Sequence, residues 1–301
     1  MDLQEQHQAV HTQVAAVSLF DTTIDVKKYS CSYNKQQSEK LDPYVNLYIK
    51  TTDICQANCQ FCEFHKATGK QFDLDKLKEV VQELNDRDIE INKINFTGGE
   101  PMLNPEIMEE ALSIVPDTYI TINTNGFNWG KTIELSDKIT CISLSRHHYN
   151  DAINSSIFKT NTPTLNDIEK FPDKVKLHAR CNMIAGYIDC QEEAIKYIDT
   201  LADKGVMDFG FVSLMKINSF CEENFIDHSI LQWGKTGRTH ICYEQDRFGV
   251  CSCKNFLYYT EKGQLVKMYS RVNEDFTYEA SNLVFDIDTL KQGFSGKIIY
   301  G

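Results

Sequence analysis

From residue 45 to about residue 215 the chain alternates short apolar runs with longer amphipathic stretches. The runs at 45–50, 91–96, 119–123, 139–145, 175–184 and 208–214 have the length and apolar character of strands. The stretches between them keep a different period. Residues 74–85 set Leu74, Leu77, Val80, Val81 and Leu84 three and four positions apart, which makes one apolar helical face. Residues 105–115 open on Pro105, which suits the first position of a helix, and 191–204 repeat the amphipathic pattern. Strands that alternate with helices pair in parallel through right-handed crossovers. Six such units predict an α/β fold, a partial (β/α)6 barrel with its active residues at the carboxyl ends of the strands.

The flanks read differently. Residues 1–44 are polar and irregular and are expected to be an arm that feeds the first strand. After residue 215 the alternation stops, and 216–301 are expected to form a small cysteine-rich α+β extension. Cys221, Cys242, Cys251 and Cys253 fall in its first half, and 255–270 read as a hairpin turning at Lys262 and Gly263.

Composition narrows the class. A chain of 301 residues that is 42% hydrophobic and 25% charged can bury a full core. Its net charge of −12 disfavours nucleic acid or an anionic membrane as a partner, because both attract clustered Lys and Arg; a local basic pocket is compatible with it. The opening residues lack the basic flank and apolar run of a signal peptide, and no run reaches the eighteen or so apolar residues of a membrane span, so the expected location is cytoplasmic. Eleven cysteines, an odd count in a long chain, point to reduced thiols in metal and redox work rather than to disulfides.

Cys55, Cys59 and Cys62 follow directly on the first predicted strand as C-x3-C-x2-C, with Phe61 before the last. Three thiolates closing in one short loop suit an iron-sulfur cluster, since thiolate sulfur is the soft ligand that iron clusters select. A four-iron cluster with three close ligands keeps one iron open to chemistry. Structural zinc is the other reading, but zinc knuckles bring a second ligand pair at short spacing and only His65 stands nearby.

This segment resembles the signature of the radical S-adenosylmethionine (SAM) superfamily. Residues 96–101, with Gly98, Gly99 and Glu100, resemble its second-strand motif for the methionine amino group. Residues 182–189, with Ile184 and Gly186, are similar to its fifth-strand pattern G-x-I-x-G-x-x-E, with Asn182 for the first Gly and Asp189 for the Glu. In order, the matches cover about residues 45–215. The resemblance implies that Cys55, Cys59 and Cys62 hold three irons of a [4Fe-4S] cluster while SAM chelates the fourth. Reductive cleavage of SAM then yields methionine and a 5′-deoxyadenosyl radical. It also implies SAM contacts from Phe61, Gly98, Gly99, Glu100, Ser143, Ser145, Arg146, Arg180 and Ile184. Ser143 has a plain strand hydroxyl as its alternative role, and Arg180 a simple salt bridge.

His147, His148 and Tyr149 are candidates to hold substrate at the barrel mouth, against the alternative of solvated or capping side chains. Cys141, Cys181 and Cys190 read as small buried hydrophobes. The cysteines after residue 215 resemble the "twitch" extension of some radical SAM enzymes. Either Cys221, Cys242, Cys251 and Cys253 together ligate an auxiliary [4Fe-4S] cluster, or three of them do and Cys251 or Cys253 donates a hydrogen atom. The function implied is hydrogen abstraction from an unactivated C–H of a small natural-product-like substrate, an aminosugar or a peptide. Epimerisation with a cysteine hydrogen donor ranks first, and dehydrogenation with electron transfer to the auxiliary cluster second. An electron-transfer iron-sulfur protein is the reading from another class. A flavodoxin- or ferredoxin-type reductant is the expected protein partner.

Overall fold

The computed structural model describes residues 13–28, 43–62, 68–171, 175–233, 245–246, 249–250, 255–260, 262–269, 282–293 and 296–301. Its first strands are β1 (Gln13–Leu19), β2 (Thr22–Lys28) and β3 (Pro43–Thr52). The barrel continues through α1 (Leu74–Asp86), β4 (Glu90–Gly98), α2 (Pro105–Ile114), β5 (Tyr119–Thr124), α3 (Trp129–Glu134) and β6 (Cys141–Ser145). Then come α4 (Asp151–Phe158), α5 (Leu165–Glu169), β7 (Lys176–Met183), α6 (Gln191–Ala202), β8 (Asp208–Ser213) and α7 (Ser219–Glu223). The six expected strands are therefore β3 to β8, paired in parallel and in chain order. The sheet is open, as in a partial barrel.

Local chemistry explains the helix starts. Asp73 caps α1 by accepting from the Lys76 amide at 2.9 Å, and Asn104 caps α2 ahead of Pro105. Such caps satisfy amides that the first helical turn leaves without partners. The buried stripe Leu77, Val80 and Leu84 of α1 packs with Leu47, Ile94 and Phe96 in one apolar core. A second core joins Tyr197, Ile198 and Leu201 of α6 to Phe209 and Phe211 of β8.

Because strand side chains alternate, the positions between these apolar residues face the concave side of the sheet. That side is polar. Asn46 donates to Asn282 at 3.1 Å and accepts from Asn92 at 2.9 Å. At the amino-terminal end of the strands, the Asp208 carboxylate meets Lys176 at 2.5 Å, His178 at 2.7 Å and Lys267 at 3.3 Å. Burial works to raise the Asp208 pKa, but the hydrogen bond and charges around it prevail and hold the carboxyl well below its usual range.

One expectation changes. Residues 13–28 are no irregular arm: β1 and β2 form an antiparallel hairpin whose Ile24 and Val26 are buried, and β2 pairs with β3. The polar character of this stretch hid a period of two. The later strands extend the barrel sheet. Beyond the two-residue pair β9 (Gln245–Asp246) and β10 (Gly249–Val250), the hairpin of β11 (Asn255–Tyr259) and β12 (Leu265–Tyr269) turns where expected. Its β12 pairs in parallel with β8, whereas β13 (Asn282–Asp286) pairs in parallel with β3. Consecutive strands thus extend opposite edges, and β14 (Thr289–Gln292) and β15 (Ile298–Tyr300) continue the β13 side. Lys50 bonds Asp286 at 2.6 Å across that junction. Among the described residues, no helix is long and apolar enough to cross a membrane.

Asp208→Asn should cost about 3–5 kcal/mol in urea unfolding at pH 7, because it strands Lys176 and Lys267 beside a neutral amide. A depressed carboxyl stabilises above its unfolded pKa, and that contribution is lost as pH falls through the lower folded value. The gap between wild type and variant should therefore shrink as unfolding is repeated below about pH 4.

Candidate active site

The three close cysteines stand in the loop that leaves the carboxyl end of β3. Asp53 at its start accepts from the Thr68 amide, and the Asn58 amide donates to the Phe158 carbonyl at 2.9 Å. Cys59 is buried and Cys55 and Cys62 are half-buried. Gln56 bonds the Asn125 side chain at 2.9 Å, and Asn125 Nδ2 lies 3.7 Å from Cys55 Sγ. Burial pushes the Cys59 thiol up to about 12, and the charges of Cys62 and Cys55 push the same way. Burial likewise raises Cys55. Three thiols that oppose one another's ionisation are a donor set that a cationic metal centre would stabilise as thiolates. Among the described residues, no three His, Cys, Asp or Glu side chains converge on the position of a single ion. A four-iron cluster asks for no such convergence, since each thiolate takes its own iron. The residues present fit the cluster.

Gly98 and Gly99 lock this loop to β4. The Gly99 amide donates to the Thr52 carbonyl at 2.8 Å and the Glu100 amide to that of Ile54 at 2.9 Å. A Cβ on Gly98 would sit 2.2 Å from the Thr52 oxygen, and one on Gly99 2.0 Å from the Ile54 oxygen. The second-strand motif casts both glycines as SAM contacts; the structure adds a demand from the protein's own backbone. Glu100 is buried, and its carboxylate accepts from Thr124 Oγ1 at 2.5 Å, the Asn125 amide at 2.8 Å and the Met102 amide at 3.1 Å. Burial raises its pKa to about 7 against those three bonds. Glu100 thereby ties the ends of β4 and β5 together.

Ser143, Ser145 and Arg180 share the concave face on β6 and β7, with Ser145 and Arg180 in direct register. Arg146 lies one step beyond: its terminal guanidinium nitrogens donate to the Pro163 and Tyr149 carbonyls at 2.8 and 3.1 Å and meet Asp151 at 2.5 Å, while its buried Nε has no hydrogen-bond partner among the described residues. That side chain braces the connection from β6 to α5. His147 is buried, stacked on Phe158 at 4.7 Å and edge-on to Phe61 at 5.0 Å, and its Nδ1 accepts from the Asn182 amide at 3.1 Å. Burial brings its pKa down to about 3, so the ring is neutral. His148 accepts from the Asn150 amide at 2.9 Å, and Tyr149 donates to Glu193 at 2.8 Å. These side chains order the loop after β6.

Ile184 and Phe61, far apart in sequence, line one cavity of about 390 Å³ beside the cysteine loop, together with Gln60, Gly186, Tyr187 and Phe220. Asp189 shapes its rim by accepting from the Gly186 amide at 2.7 Å. The sequence reading missed Tyr187, Phe220 and Asn125. Asn125 left a signal, an Asn-Gly pair at the carboxyl end of a predicted strand, and Tyr187 lies inside the matched 182–189 stretch. Cys221 is buried on α7, with its Sγ 3.8 Å from the Phe61 carbonyl, so the fold brings it to the back of the first cysteine loop. Cys242, Cys251 and Cys253 lie outside the described residues. Cys141 and Cys181 are buried, as expected of core thiols, and Cys190 is half-buried at the start of α6.

A parallel open sheet carrying three cysteines at the end of its first barrel strand, beside a cavity, defines a metal-cluster enzyme class. Residues 49–206, more than half of the chain, match the radical SAM superfamily, and the chain belongs to it. Membership implies a [4Fe-4S] cluster and SAM. An uncharacterized protein of Methanocaldococcus jannaschii is 34% identical over 83 residues, 28% of this chain and 29% of that protein. A probable GTP 3′,8-cyclase of Saccharolobus solfataricus is 25% identical over 181 residues, 57% of this chain and 58% of that one. The chain thus spans less than two thirds of the length of these curated relatives. Among solved structures, Streptococcus suis SuiB bound to S-adenosylmethionine aligns with 14% identity and a TM-score of 0.49, over 59% of this chain and 42% of that one.

Gly99→Ala should destabilise the protein by about 1–3 kcal/mol, since its Cβ meets backbone that cannot yield. Gly130→Ala, where nothing lies within 4 Å, should be neutral or stabilising by up to about 1 kcal/mol. Urea unfolding of the two variants checks the contrast.

Proposed function

We propose that this chain cleaves SAM reductively and abstracts hydrogen from an unactivated C–H of a small molecule or peptide, with epimerisation as the outcome. The observation that carries the reading is the placement of Cys55, Cys59 and Cys62 at the mouth of a parallel sheet, next to the cavity lined by Phe61 and Ile184. When bound, the cluster and SAM supply the electron and the hydrogen-abstracting radical. The chain's own residues position and enclose. Phe61 and Ile184 offer apolar walls suited to an adenine face, while Gly186 and the Tyr187 backbone offer polar groups at its edge. Ser143, Ser145 and Arg180 face the concave side, where they would orient the polar end of SAM. Glu100, fixed by Thr124 and Asn125, and the backbone of Gly98 and Gly99 stand on the methionine side.

In epimerisation a thiol, Cys251 or Cys253, returns hydrogen to the opposite face of the substrate carbon. The sulfur radical so formed is restored by one electron and one proton, the electron coming from a flavodoxin- or ferredoxin-type donor. The remaining late cysteines, with Cys221, would hold an auxiliary cluster. If the substrate radical instead gives up an electron to that cluster, the product is a dehydrogenated one.

The test uses anaerobically reconstituted protein with SAM and a strong reductant. Formation of 5′-deoxyadenosine supports the reading, as does its loss together with iron in Cys59→Ala; intact SAM in a fully loaded protein overturns it. With a substrate found, deuterium from deuterated water at one product carbon supports epimerisation, and a two-electron-oxidised product replaces it with dehydrogenation. Cys251→Ala and Cys253→Ala then separate ligand from donor, since loss of a ligand lowers iron content and loss of a donor does not.

A further inference from the structure

Asn125 follows directly on β5, and its buried side chain reaches the cysteine loop. Its backbone amide donates to the Glu100 carboxylate at 2.8 Å, and its Oδ1 accepts from Gln56 Nε2 at 2.9 Å and from the Phe127 amide at 3.0 Å. The Phe127 donor is backbone and must face an acceptor, so the oxygen and nitrogen of the Asn125 side chain are told apart. What remains is Nδ2, which donates to Cys55 Sγ at 3.7 Å.

The backbone around this residue is held as firmly. Thr124 Oγ1 donates to Glu100 Oε1 at 2.5 Å and accepts from the Gly126 amide at 2.9 Å. Gly126 has a φ of +86°, and a Cβ there would fall 2.3 Å from Pro163 Cγ, so the turn that presents Asn125 demands glycine. The donor is therefore preset toward the sulfur.

A buried N–H needs an acceptor, and the sulfur of a protonated thiol is a weak one. A thiolate carries charge, and hydrogen bonds to ionised acceptors are roughly twice as strong as those between neutral groups. The Cys55 thiol also lies 3.7 Å from Gln56 Oε1, a bond that a thiolate has no proton to make. Of these two contacts, the one from Asn125 suits the ligating form.

We propose that Asn125 Nδ2 donates to the Cys55 thiolate in the cluster-loaded protein and that this hydrogen bond raises the reduction potential of the cluster. The proposal deepens the function proposed above by naming a residue that governs electron entry, and it rests on the [4Fe-4S] cluster of that reading. Hydrogen bonds to cluster sulfurs are among the features that set such potentials, and groups behind metal ligands tune a centre without touching it. An added electron places more negative charge on the sulfurs, so a donor stabilises the reduced form more than the oxidised one. The chain then takes one electron more readily from a flavodoxin- or ferredoxin-type donor.

The anaerobically reconstituted full chain is titrated with a reductant in the absence of SAM, and the midpoint potential is read from the EPR signal of the reduced cluster. Asn125→Ala should move the one-electron equilibrium about tenfold toward the oxidised form, a fall of about 59 mV. Asn125→Asp, which keeps the acceptor for Gln56 and Phe127, should fall as well, and the surface variant Lys131→Met should hold the wild-type potential. A wild-type potential in iron-loaded Asn125→Ala overturns the proposal, as does a fall confined to Asn125→Asp, which would report charge alone. A second measurement needs no variant: wild-type protein carrying asparagine with isotopically labelled side-chain nitrogen should show coupling of that nitrogen to the reduced cluster in pulsed EPR, and its absence overturns the proposal. Formation of 5′-deoxyadenosine is measured on the same preparations. A shifted potential without SAM cleavage keeps the hydrogen bond and removes the SAM reading, whereas cleavage with an unshifted potential does the reverse.

Discussion

The constraint on which the site depends is a backbone contact between the ends of two neighbouring strands. The amides of Gly99 and Glu100 donate to the carbonyls of Thr52 and Ile54, and the approach is so close that a β-carbon at either glycine would overlap an oxygen. Through it the cysteine loop inherits the rigidity of the sheet. Ligands on a rigid frame hold a cluster in one place, which is what a reaction that must direct a radical requires. Glu100 continues the tie by joining β4 to Thr124 and Asn125, and Asn125 reaches back to Cys55.

The sheet divides its two faces sharply. Toward the helices it is apolar and close-packed. Toward the concave side it carries asparagines, hydroxyls, lysines and an arginine, and the ion pairs around Asp208 and Asp286 stand at opposite ends of the strands. Burial of the helical face supplies the hydrophobic stabilisation, so the concave face is open to polar side chains that a packed interior would exclude. Function on this fold is set by those side chains and by the loops at the carboxyl ends of the strands.

Several charged and aromatic groups that read as ligand contacts also serve the scaffold. Arg146 satisfies carbonyls of the loop after β6, and His147 is a neutral acceptor wedged between Phe61 and Phe158. Both still bear on the site. His147 fixes the ring that lines the cavity, and Cys221 supports the same segment from behind through the Phe61 carbonyl.

The sequence by itself determined the six barrel strands, the helices α1, α2 and α6, the turn at Lys262 and Gly263, and the cysteine loop. Each is written in a local period, a cap or a spacing, and neighbouring residues suffice to express it. Tertiary structure alone decided that β12 and β13, consecutive in the chain, take opposite edges of the sheet, and that Ile24 and Val26 anchor an amino-terminal hairpin. It alone decided that Glu100 turns to Thr124 and that Phe61 and Ile184 share a cavity. Strand pairing and side-chain direction depend on which partner is near in space, and a one-dimensional pattern of polarity carries the face of a residue but not the identity of what it meets.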